Sequence, residues 1–142
     1  MSRISLQQAN AIIAAAFAKG AELNLKPLTV VVLDAGGHAI ALQRQDGSST
    51  LRPQIATGKA GGALELGVSS RKIADMAADR PSFVASLGGV TARGIIPAAG
   101  GVIVVGADGQ PIGAVGVTGD TSDNDEICAL AGVAAAGLTV QA

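Results

Sequence analysis

Apolar and polar positions alternate along this chain in two distinct periods. Leu6, Ala9, Ile12, Ile13, Ala16 and Phe17 recur at three- and four-residue spacing, which predicts one apolar stripe on a helix over about 5–24. Ser5 supplies its N-cap, and Asn24 and Pro27 stop it. Leu28 to Leu33 is a short β-branched run, followed by the turn signal Asp34-Ala35-Gly36-Gly37 and a second strand from His38 to Gln43. A helical pattern covers about 50–66, interrupted by Gly58, Gly61 and Gly62, whose use is close packing against a sheet or another helix. Ser69 or Ser70 opens a short helix through Ala78, and Pro81 starts another turn to Leu87.

The second half repeats the hairpin theme. Ile95-Ile96-Pro97 reads as a short strand and Ala98 to Gly101 as a tight bend. Val102 to Val105 and Ile112 to Val117 are strands joined by the turn Ala107-Asp108-Gly109-Gln110. A last helix runs from about Asp123 to Ala136, with Asp123 as cap and Glu126 at capping-box spacing. Strands that come in hairpins predict an α+β fold, an antiparallel sheet with helices packed on it.

Composition sharpens this picture. The 142 residues suit a single domain, 1–142, able to fold without a disulfide or metal. Two Phe and no Trp or Tyr leave a core of Ala, Val, Ile and Leu, and twenty glycines allow layers to approach closely. A net charge of −1 and scattered basic residues argue against nucleic-acid binding, and no run is apolar enough to cross a bilayer. The N-terminal residues read as the amphipathic helix rather than an export signal, so the cytoplasm is the expected compartment. The near-neutral, Ala- and Gly-rich surface points to self-association. The lone Cys128 lies in an apolar stretch and reads as a small buried hydrophobe.

One ordered set of residue groups carries a resemblance. It comprises Val32 to His38 with Arg44 and Asp46-Gly47, then Lys59-Ala60, then Pro97-Ala98-Ala99-Gly100-Gly101. Gly113 to Gly119 (GAVGVTG) and Asp123-Asn124-Asp125-Glu126 complete it. In this the chain resembles the GlcG/HbpS family, which also covers the C-terminal domain of PduO-type adenosyltransferases. The resemblance implies a profilin-like α/β/α arrangement and a homo-oligomer, from tetramer to octamer. It also implies binding of haem or another small molecule. Most relatives carry Ser where this chain has Thr118, so the hydroxyl is kept.

The candidate chemistry is compact. His38, the only histidine, is suited to ligating haem iron or to acid/base work near neutral pH; the plainer reading is a half-exposed strand residue beside a carboxylate. Arg44 and Lys59 are suited to gripping an acidic ligand group, or to pairing with Asp34 or Asp46 and to lying on a solvated helix face. Gly100-Gly101 and Thr118-Gly119 offer backbone N–H groups for an anion, or two ordinary turns. Asp120, Asp123, Asp125 and Glu126 suit a hard cation, an acid/base pair or simple helix capping, with Glu126 the one expected to reach a pocket. Three functions stay open on these residues: haem or tetrapyrrole binding, acid/base catalysis on a small carboxylate, and a non-catalytic structural module.

Overall fold

The computed structural model describes residues 2–142. Helix α1 (Leu6–Glu22) leads into the hairpin β1 (Thr29–Asp34) and β2 (Ala39–Arg44). Three helices follow, α2 (Arg52–Leu66), α3 (Ser70–Asp79) and α4 (Pro81–Leu87). A second hairpin, β3 (Gly101–Val105) and β4 (Pro111–Thr118), precedes α5 (Ser122–Ala135) and the two-residue β5 (Thr139–Val140). The five strands form one sheet in the order β2-β1-β4-β3-β5, and every neighbouring pair is antiparallel. The α+β class expected from the hairpins and the helix–sheet–helix layering implied by the resemblance are therefore present.

Two cores flank the sheet. Even-numbered β1 residues Val30 and Val32 join Val115 and Val117 of β4 under α1 and α5. Odd-numbered Val31 and Leu33 join Ala114 under Ala56 and Ala60 of α2. Successive side chains of a strand point to opposite faces, so a central strand covered on both sides reads as an unbroken apolar run. Val30 to Leu33 is such a run.

Helix α2 is buried all round, from Ala56 and Gly58 to Ala63. Its floor is glycine: a Cβ on Gly116 would collide with Ala56 O, and one on Gly101 with Lys59 O. Its roof is the 93–97 segment, where Ile96 packs on Gly58 and Ile95 on Gly62. The close packing expected of the α2 glycines is thus realised on the side away from the sheet.

Two expectations need correction, and one element was not foreseen. Ile95-Ile96-Pro97 forms no strand, because its two isoleucines are spent roofing α2. The cap of α5 is Thr121, whose hydroxyl accepts from Asn124 N at 3.3 Å, which moves Asp123 into the first turn and dissolves the capping box with Glu126. The strand β5 had no signal, since two residues carry no period.

Candidate functional site

The least ordinary side chain in the molecule is Lys59, which α2 buries to 2% exposure. Its Nζ donates to Val117 O at 3.0 Å and to Asp125 Oδ2 at 3.1 Å. Asp125 is equally buried, and its Oδ1 accepts from Asp120 N at 2.9 Å. The ion pair therefore links α2 on one face of the sheet to the start of α5 on the other. Gly100 makes room for it: at φ +128 its Cβ would stand 2.9 Å from Nζ and 2.5 Å from Val117 O. Burial pulls the Lys59 ammonium below its ordinary pKa, Asp125 opposes that, and the nearby Arg52 charge adds to the lowering.

Gly101 has a matching structural duty. Its N–H donates to Ser70 Oγ at 2.7 Å, which leaves no anion-binding nest at Gly100-Gly101. Lys59 likewise lines none of the cavities described below, so its expected grip on a ligand is replaced by an internal bond. Lys59 holds α2 against β4, and Gly101 ties β3 to Ser70 at the start of α3.

The last residue of β4 carries another unusual polar group. Thr118, buried, accepts from Arg52 Nη1 at 2.8 Å. Thr29, opposite Thr118 in the register, shares a 2.9 Å hydrogen bond with Ser48 Oγ. Arg52, Ser48, Ser49, Lys26 and Gly119 line a cavity of about 200 Å³ at this end of the sheet. Asp120 anchors the adjoining loop: its carboxylate accepts from Asn124 Nδ2 at 2.8 Å and from Lys26 N at 3.1 Å. Those bonds, the Asn124 amide first, hold its pKa down at about 2.

That shift has a sign. The folded value lies below the ordinary 3.8, so the bonds stabilise the fold fully above pH 4 and are lost as the pH falls towards 2. Carboxyl NMR should place the Asp120 midpoint near 2, well below the exposed aspartates; a midpoint near 4 would contradict the loop geometry.

His38 stands at the opposite end of the sheet, with its side chain 73% exposed. Asp34 Oδ1 faces its Nδ1 at 3.5 Å and accepts from His38 N at 2.9 Å and Gly36 N at 3.0 Å. These bonds, that from His38 N first, lower the Asp34 pKa. Next to His38, Gly37 at φ +83 lies under the Arg93 guanidinium, which a Cβ there would meet at 2.7 Å. Arg93 also borders a shallow apolar cavity of about 340 Å³ with Pro53, Gln54 and Thr57.

The remaining candidates are dispersed. Arg44 pairs with neither Asp34 nor Asp46; it lines a separate cavity of about 630 Å³ with Phe17, Lys26 and Asp46. Both Glu126 oxygens accept from Arg71 Nε, at 3.0 and 3.1 Å, and Asp123 takes the same guanidinium. Glu126 is thus tied to α3, away from His38, and the two do not form an acid/base pair. The acidic group at α5 is consumed by these contacts, and no three His, Cys, Asp or Glu side chains converge among the described residues. Burial, with Asp125 nearby, pushes the Cys128 thiol up to about 11, which keeps it protonated at neutral pH.

Comparison with known proteins fits this architecture. A family model described as "Haem degrading protein HbpS-like" matches residues 4–134. The chain belongs to the HbpS-like family. This HbpS-like chain is 34% identical over 131 residues to an uncharacterized 15.0 kDa protein from the dhaT-dhaS intergenic region of Citrobacter freundii, covering 91% of this chain and 89% of that one. Its fold matches the crystal structure of Klebsiella pneumoniae protein ORFY with a TM-score of 0.84 at 28% identity, covering 96% and 93% of the two chains. The crystal structure of HbpS matches with a TM-score of 0.80 at 27% identity, over 94% of this chain and 90% of HbpS. A PduOC:heme complex shares the fold at a TM-score of 0.85 and 20% identity, over 99% and 100%.

Sequence reasoning on the HbpS-like chain passed over Arg52. Its cue was local: a basic residue beside Pro53, at the start of a helix that follows the polar turn Asp46 to Ser49. What gives it meaning, the bond to Thr118, spans 66 positions.

Proposed function

We propose that this HbpS-like chain is a small haem-binding protein that holds the iron through His38. The observation that carries the reading is the exposed imidazole itself, the only histidine of the chain. Its Nδ1 faces the Asp34 carboxylate, the partner that orients metal-ligating histidines, and this leaves Nε2 free to bind a metal. The family description and the haem complex of a protein with the same fold support the choice of group. Bound haem supplies a redox-active iron whose potential depends on the axial ligand.

The surroundings fit one side of a porphyrin. Arg93, packed over Gly37, offers a guanidinium to a propionate carboxylate. Pro53 and Thr57 provide apolar surface beside Arg93, and no aromatic ring does. We assign the second side to a second copy of the chain. β2 is an edge strand whose Leu42 is exposed, and Leu51 is exposed just before α2. A closed homo-oligomer, from tetramer to octamer, would cover such surface.

Titration with haemin, followed in the Soret region alongside light scattering for the oligomer, tests this reading. A saturable shift at micromolar haemin is the expected result. A spectrum that only adds free haemin to protein would overturn it.

A further inference from the structure

The cavity at the Thr118 end of the sheet lies apart from the His38 imidazole. Thr29 and Asp34 bound β1, and five steps of extended strand separate the two ends by about 17 Å. Two cations, Arg52 and Lys26, and two serines line this cavity, and no carboxylate does. Asp120, next to Gly119, spends its oxygens on Lys26 N and Asn124.

We propose that this cavity binds a small molecule through one oxyanion group, with Arg52 as the principal contact and Lys26 and the serine hydroxyls around it. The guanidinium is held in place but not neutralised. Its one hydrogen bond goes to the neutral Thr118 hydroxyl, and among the described residues neither Arg52 nor Lys26 forms an ion pair through its side chain. Thr118 is itself buried and so fixes the direction of the Arg52 fork. The remaining guanidinium N–H groups can meet a planar or tetrahedral anion.

Charge bookkeeping points the same way. Lys59 and Arg52 are close enough for the Arg52 charge to depress the Lys59 pKa, and Asp125 is the one carboxylate bonded to either. Lys26, Arg52 and Lys59 stand against Asp120 and Asp125 at this end of the sheet, which leaves one positive charge over, and an incoming anion relieves the repulsion. Gly119, at φ +149, keeps the floor low because a Cβ there would collide with Pro27 O. About 200 Å³ corresponds to the space of roughly six or seven waters, enough for a few-carbon acid and too little for a nucleotide.

The test uses the full chain without haem, at constant ionic strength, with inorganic phosphate and lactate as separate probes and chloride as the reference. Backbone amide NMR should show saturable shifts at Ser48, Ser49 and Gly119 with at least one probe. Saturation by lactate alone assigns a carboxylate ligand, and by phosphate alone a phosphoryl group. Arg52→Gln should weaken binding about tenfold or more, the scale of one charge-assisted hydrogen bond, while Lys26→Gln weakens it less. His38→Ala should leave it unchanged, which separates this site from the haem reading. Shifts no larger than those of chloride with both probes would overturn the proposal. So would equal binding by Arg52→Gln, Lys26→Gln and the parent protein.

Discussion

Lys59→Met is expected to cost about 3–5 kcal/mol of folding stability, because it leaves the Asp125 carboxylate buried without a cation. That is a large share of the 5–15 kcal/mol typical of a domain, so the variant should be marginal at ambient temperature. The double variant Lys59→Met, Asp125→Asn removes both charges while an amide oxygen still accepts from Asp120 N. It should recover most of the loss. Urea unfolding of the parent, both single variants and the double variant measures the coupling. Simple additivity of the two single losses would mean that the pair does not act as a unit.

Gly116→Ala should be nearly as damaging, for a steric reason. The added methyl collides with Ala56 O and presses on Ala60 Cβ, so α2 must lift from the sheet. Overpacking costs typically 1–3 kcal/mol, and about 3 kcal/mol is expected here because both surfaces are backbone-rigid. Gly88→Ala is the control. Gly88 has φ −56 and nothing within 4 Å of an added Cβ, so its substitution should stay within about 0.5 kcal/mol of neutral. Equal melting temperatures for the two variants would contradict the described contact between α2 and β4.

Local signals made the fold readable and hid the polar interior. The α1 stripe, the Asp34 to Gly37 turn and the Ala107 to Gln110 turn sit within a few residues of what they dictate, and each element forms where its signal lies. His38 owes its exposure to the same local turn. Ile95-Ile96 has strand composition, but its partners are Gly62 and Gly58 of a distant helix. The candidate site failed in the same way. Lys59 reads as a ligand-gripping or solvated lysine until Asp125, 66 positions on, is brought beside it. Glu126 reads as a helix-capping or pocket-reaching carboxylate until Arg71, 55 positions back, takes both its oxygens. Polar side chains are assigned by tertiary contact, which no period in the sequence encodes.

The central claim is that the only imidazole of this chain binds the haem iron. Its most direct test is the Soret spectrum and haemin affinity of His38→Ala beside the parent protein, with and without free imidazole. Loss of the bound band in the variant, and its return when imidazole is added, is the predicted result. Identical spectra and affinities for the two proteins would contradict it.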